Sequence, residues 1–117
     1  LIASAKDPSA VIIASAVAQR NPSKLCAATI DTFVSILASE AANLALKIFA
    51  TGGVYLAGGI PMHALKALQG PRFMESFKRK GRFSELMERI PIHVVITRAA
   101  LIGAAAYGLE RFKDVST

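Results

Sequence analysis

The sequence predicts a helix-rich α/β fold in which two short parallel strands are flanked by helices. Two apolar, β-rich runs, at 54–57 and 92–96, are too short for helices and are bounded by glycine or proline, as buried strands are. Elsewhere, apolar residues recur at the three- and four-residue steps of amphipathic helices. Hydrophobic residues make up 53% of the 117 residues, so some apolar surface is expected to face another part of the molecule.

The first half is predicted to be helical. Asp7-Pro8 pairs an N-cap residue with proline at the first helical position, and this helix is expected to run to about residue 19. Asn21-Pro22 repeats the signal. The apolar steps over 25–48 then predict one long helix or two stacked ones, closed by a left-handed glycine at Gly52-Gly53.

The second half is predicted to alternate strands with shorter helices. Glycine and proline divide it into segments. These are a buried strand at 54–57, a helix from Pro61 to about 69, a basic helix from Pro71 to 80, a short helix at 84–89, a strand at 92–96 and a tightly packed helix from 99 to about 112.

The strand–helix–strand order favours a parallel pair joined by a right-handed crossover. Two strands alone do not make a stable sheet, and parallel strands need both faces covered. Residues 1–117 are therefore expected to form one partial domain, helical over 1–50 and carrying the strands over 51–117. The absence of an initiator methionine at Leu1 suggests a start that was cut or processed.

Several classes are disfavoured by composition. Cys26 is the only cysteine, which excludes an internal disulfide, and no secretory leader is legible. The longest apolar-rich stretch, 25–50, is interrupted by Asp31, Glu40 and Lys47, so no membrane span is expected. A cytoplasmic location is expected. No second ligand stands at metal-binding spacing from His63 or His93, so no metal site is predicted.

The segment 51–61 carries the ligand argument. An apolar strand ends in Gly58-Gly59 and a helix follows at once. In open α/β sheets, ligands bind beyond the carboxyl ends of strands, and glycine lets a backbone approach a flat ligand closely. From the residues alone, a nucleotide-type site and a tight strand-to-helix turn with no ligand both remain open.

The run Val54-Tyr55-Leu56-Ala57-Gly58-Gly59-Ile60 resembles the adenosine motif of the sugar kinase, Hsp70 and actin superfamily. Three other stretches resemble bacterial glucokinases in order and spacing, and so does the ending 101–105. They are Asn43-Leu44-Ala45-Leu46, Lys80-Gly81-Arg82-Phe83 and Ile90-Pro91-Ile92.

This resemblance implies the C-terminal part of the large domain of an actin-like, ribonuclease H-like ATPase. It implies a parent that uses ATP with Mg to phosphorylate glucose. Gly58 and Gly59 are then expected to contact the nucleotide, with Ala57 and Ile60 as weaker candidates. Gly103 is expected to serve close packing of the last helix behind the site.

The resemblance also implies what is missing. The family's Asp-Gly phosphate loops, its Asn-Asp sugar site with the catalytic aspartate and its Glu-x-Gly-His segment precede the matched region. Asp7, Asp31 and Asp114 are the only aspartates, and none stands in a glycine-rich loop. The chain is therefore expected to supply no catalytic residue, to reach glucose only through the missing part, and to be inactive alone.

The alternative is a basic, helix-rich nucleic-acid-binding module. It is motivated by the net charge of +6 and by five basic residues within 72–82, which interleave with Phe73, Phe77 and Phe83. No nucleic-acid motif is legible, and an amphipathic helix with a solvated basic face accounts for the pattern. No nucleic-acid partner is expected, whereas uncovered apolar faces favour a homo-oligomer.

Overall fold

The computed structural model describes residues 6–16, 18 and 23–115. Seven α-helices and two strands lie within these ranges, with a 3₁₀ turn at Gly81–Phe83. In chain order they are α1 (Pro8–Ala16), α2 (Lys24–Ile48), β1 (Val54–Leu56), α3 (Gly59–His63), α4 (Leu65–Leu68), α5 (Pro71–Lys78), α6 (Ser84–Arg89), β2 (Ile92–Val94) and α7 (Ala99–Val115).

The two N-terminal helices have defined starts. The Asp7 carboxylate accepts hydrogen bonds from the backbone N–H groups of Ser9 (3.1 Å) and Ala10 (3.4 Å), which confirms Asp7 as a cap. The Ser23 hydroxyl accepts one from Cys26 N at 3.3 Å and starts α2. The Asn21-Pro22 signal, and the predicted end of the first helix near residue 19, lie outside the described residues.

Helix α2 is one continuous helix, and its end differs from the prediction. Phe49, with φ 53° and ψ 53°, takes the left-handed conformation expected of glycine, and its N–H donates to Leu46 O at 3.3 Å. Gly53 also has a positive φ, 127°, but it stands next to β1. The chain therefore leaves the helix three residues before the glycine pair.

The core is built on a buried stripe of α2. Its members recur at three- and four-residue steps, which keeps them on one helix face. They are Cys26, Ile30, Val34, Ala38, Ala41, Ala42 and Ala45. Small residues in the later half allow α5 to approach closely, and Phe73, Phe77 and Met87 fill the cluster. Phe73 and Phe77 stack with ring centroids 6.1 Å apart, which confirms that they share a helix face.

The strands pair in parallel, as predicted, with Val54 opposite Ile92 and Leu56 opposite Val94. Helices α3 to α6 form the crossover between them. The prediction that the strands are buried was wrong for this chain. Leu56 is buried, whereas Tyr55 is 66% exposed and stacks on the exposed His93 ring at 4.8 Å, because no described element covers that face.

The helix predicted from Pro61 to about 69 is divided. Helix α3 begins two residues earlier, at Gly59, and Ala64 interrupts it with φ −91° and ψ 14° before α4 begins. Pro61 fits inside the first turn of α3 because N–H groups there have no intrahelical acceptor.

Helix α7 is exposed along its whole length. The prediction of a tightly packed last helix was wrong for this chain, since no atom lies within 4 Å of a Cβ built on Gly103. Alanine and glycine permit close approach, but no other described element covers this helix.

Within the described residues, α2 has the length and apolar composition that crossing a membrane requires. Core helices of soluble proteins meet the same criterion. The buried stripe of α2 and its packing against α5 and α1 fit a core helix.

Candidate functional site

A cavity of about 360 Å³ opens beyond the carboxyl ends of both strands. Since β1 and β2 are parallel, the segments that follow them emerge at the same edge of the sheet. One wall is the turn after β1, with Ala57, Gly58 and Gly59, together with Met62 and His63 of α3. The facing wall is 97–101, the loop after β2 and the start of α7. This edge of an α/β sheet is where ligands bind.

Gly58 shapes the first wall. Its φ of 110° and ψ of 179° fall in a region that essentially only glycine adopts. No atom lies within 4 Å of a Cβ built on either Gly58 or Gly59, so the turn leaves open space beside its backbone. Gly59 is the first residue of α3 and has no positive φ. The local sequence thus forms a bare backbone surface that a flat ligand could approach.

The predicted site residues separate into two places. Ala57, Gly58 and Gly59 line the cavity. Ile60 lines a different and smaller cavity of about 130 Å³ with Ile12 and Phe33, on the side of α1 and α2. The structure therefore brings three of the four candidates together.

Sequence reasoning missed the second wall, which contains Thr97 and Arg98. No glycine or repeated spacing marks this loop. The rule that ligands bind beyond strand ends, applied to β2 as well as β1, would have found it. Met62 and His63 were missed as wall residues too. His63 Nδ1–H donates to Gly59 O at 2.7 Å, which ties the ring to the first turn of α3.

The cavity has one permanent cation and no carboxylate among the lining residues that the structure describes. That cation is Arg98. The 17-residue helix α7 begins directly after it, and the N-terminus of a helix carries partial positive charge. The site is therefore suited to an uncharged flat group against its apolar lining and a negative group beside Arg98.

Carboxylates lie elsewhere. Asp7 caps α1, Asp31 sits inside α2 with its Oδ1 3.8 Å from Arg72 Nε, and Asp114 belongs to α7. Residues 6–16, 18 and 23–115 contain no group of three His, Cys, Asp or Glu residues that could hold a metal ion.

Comparison with known proteins identifies the family. The profile that matches is described as Glucokinase, and the match covers residues 2–111. The chain belongs to the glucokinase family. The resemblance to bacterial glucokinases is thereby confirmed.

Curated glucokinases show the same relationship. The chain is 39% identical to the glucokinase of Trichormus variabilis over 100 residues, which cover 85% of this chain and 29% of that protein. It is 41% identical to a Neisseria meningitidis glucokinase over 88 residues, covering 75% of this chain and 27% of that protein. A Caulobacter glucokinase is 46% identical over 81 residues, which cover 68% and 25% of the two chains.

The chain thus spans between a quarter and three tenths of the length of these curated glucokinases. No solved structure matches it at a significant level.

Proposed function

We propose that this chain is part of an ATP-dependent glucokinase that transfers the γ-phosphoryl group of ATP to the 6-hydroxyl of glucose. Within that enzyme it supplies the adenosine-binding wall of a large domain with the actin-like, ribonuclease H-like fold. The observation that carries the proposal is the glycine-only turn at Gly58, which borders an open cavity at the carboxyl ends of two parallel strands. Membership of the glucokinase family supports the activity.

The role of this chain in such a reaction is to position the nucleotide. Phosphoryl transfer depends largely on placing the nucleotide and stabilising charge, because little covalent chemistry falls to the protein. The turn at 57–59 holds the base and ribose against bare backbone, while Met62 and Leu101 provide apolar surface that excludes water. These contacts fix one end of the nucleotide and thereby the direction of its phosphates.

The proton-accepting carboxylate and the sugar site lie in the part of a glucokinase that this chain does not cover. A kinase needs a carboxylate near the acceptor hydroxyl. Asp7 caps α1, Asp31 lies within α2 and Asp114 lies near the end of α7, and none of them lines the cavity. With no carboxylate lining the cavity, the described residues do not fit a magnesium site either, so we assign no magnesium ligand to this chain.

The contacts of the basic segment 72–82 favour a structural role for this segment over nucleic-acid binding. Lys80 Nζ donates to Asn43 Oδ1 at 2.6 Å and joins this segment to α2. Lys78 pairs with Glu88 at 3.4 Å, and the Arg82 guanidinium lies 5.1 Å from the centre of the Phe83 ring. These contacts suggest that much of the basic segment stabilises the fold. We propose a cytoplasmic homo-oligomer with neither a nucleic-acid nor a membrane partner.

Photolabelling of the full kinase with 8-azido-ATP tests the adenosine wall. The azide sits on the base, so the label is expected in peptides that contain 57–63 or 97–101. Excess ADP should prevent labelling, whereas glucose alone should not. Labelling confined to peptides outside this chain would contradict the proposal.

A further inference from the structure

Arg98 lines the same cavity as Gly58 and Gly59, on the wall formed by 97–101. It is exposed, and no described residue forms an ion pair with its side chain. Two other basic residues, Arg72 and Lys78, pair with carboxylates of the same chain. Within the described part of the chain, Arg98 is therefore a guanidinium beside an open cavity with no carboxylate to neutralise it.

The backbone places this side chain at the positive end of a long helix. The carbonyl of Arg98 accepts hydrogen bonds from Leu101 N (3.1 Å) and Ile102 N (3.2 Å), so Arg98 holds the N-cap position of α7. The helix dipole and the guanidinium favour the same sign of ligand charge there. Because no described carboxylate lines the cavity, nothing on its walls opposes that preference.

The rest of the lining has a different character. Ala57, Met62 and Leu101 offer apolar surface, and the glycine pair offers bare backbone. Such surfaces accept a base and ribose but gain nothing from a charged group. The two chemical parts of a nucleotide therefore match two kinds of lining residue, with the anionic part matched by Arg98.

We propose that Arg98 binds a phosphate group of the nucleotide and so makes the site prefer nucleotides over nucleosides. Guanidinium offers paired N–H donors that match phosphate oxygens. The inference rests on the proposed adenosine wall and adds to it a residue that selects the phosphorylated ligand.

Titration calorimetry of the full kinase with ADP and with adenosine tests the assignment. Replacement Arg98→Ala is expected to raise the Kd of ADP about tenfold, as loss of a charged hydrogen bond does. The Kd of adenosine should change less than about twofold, because adenosine has no group for Arg98 to bind. Raising the salt concentration should weaken ADP binding to the wild type more than to the variant. Arg98→Lys should keep part of the preference.

Arg111→Ala is the matched control. Arg111 is an exposed arginine on the same helix, about 20 Å further along at a rise of about 1.5 Å per residue, and should leave both constants unchanged. Arg98→Gln keeps the side-chain length if the alanine variant proves unstable.

Each unexpected outcome has one meaning. A folded Arg98 variant that binds both ligands as the wild type does overturns the inference alone. Equal losses for ADP and adenosine also overturn it, because Arg98 then contacts the nucleoside. A wild-type enzyme that binds neither ligand overturns the proposed adenosine wall and the inference together.

Discussion

Replacing Gly58 with valine in the full kinase tests both the turn and the site. With φ at 110° and ψ at 179°, any side chain at this position strains the backbone, and a β-branched one is the least tolerated. The expected loss of folding free energy is about 1–3 kcal/mol. No atom lies within 4 Å of the position that a Cβ would take, so a clash with the protein adds little to that cost.

The effect on the ligand is separate. The new side chain enters the cavity space that the base and ribose are proposed to occupy. We expect the KM for ATP to rise about ten- to hundredfold, equivalent to roughly 1.4–2.8 kcal/mol, and the KM for glucose to change little. Initial-rate measurements over a matrix of ATP and glucose concentrations separate the two constants.

Two other glycines provide matched controls, and Gly59 provides a second test of the cavity. Gly53 shares the strain, with φ at 127° and Pro91 atoms 3.2 Å from its Cβ position, but it lies at the opposite end of β1. Gly53→Val should lower stability without a selective effect on ATP. Gly52→Val adds the same side chain with neither strain nor contact. Gly59→Val enters the cavity without a positive φ, so it should raise the KM for ATP at little backbone cost.

Urea unfolding of each variant establishes which of them are folded. A folded Gly58→Val kinase with unchanged ATP dependence would remove Gly58 from the nucleotide site. The strand-to-helix turn would then be its only role.

Three more outcomes are expected. The 117-residue chain alone should give background rates in a coupled assay with Mg·ATP and glucose, because no aspartate lies at the cavity; turnover that survives removal of host kinase would refute this. It should form dimers or larger species by light scattering, because association buries exposed apolar residues such as Leu101 and Leu109. A monomer that unfolds cooperatively would contradict this prediction. Phe77→Ala should lower the free energy of unfolding by about 3–5 kcal/mol in urea titrations, because this fully buried ring fills the core, whereas an effect below about 1 kcal/mol would show that the core is elsewhere.

Local pattern was sufficient to predict most element types. The short apolar runs predicted both strands and their parallel pairing, and Pro71 and Ser84 mark the observed starts of α5 and α6. Glycine was a less certain guide. Phe49, not a glycine, takes the left-handed conformation that ends α2, and a backbone hydrogen bond from its N–H to Leu46 O closes the helix there.

Features that depend on distant contacts could not be predicted in this way. The composition of α7 indicates close packing but does not identify what packs against it. Arg98 lines the cavity because β2 lies parallel to β1, and no local pattern around residue 98 marks it, so only the strand-end rule applied to both predicted strands would have found it. Gly58 was found because its residue type itself indicates an unusual backbone conformation.

The crossover between the strands has a consequence for the order of folding. One wall of the cavity comes from the end of β1 and the beginning of the crossover, and the other comes from the segment after β2, so the site forms only after the whole crossover has closed. Contacts between residues distant in sequence form slowly, because the chain loses conformational entropy on closing the loop before these contacts stabilise it. Helix α2 and the crossover helices can pack earlier, around the cluster that includes Phe73 and Met87. The pocket is thus expected among the last features to appear during synthesis, and capture of a nucleotide would favour the chains that have completed their fold.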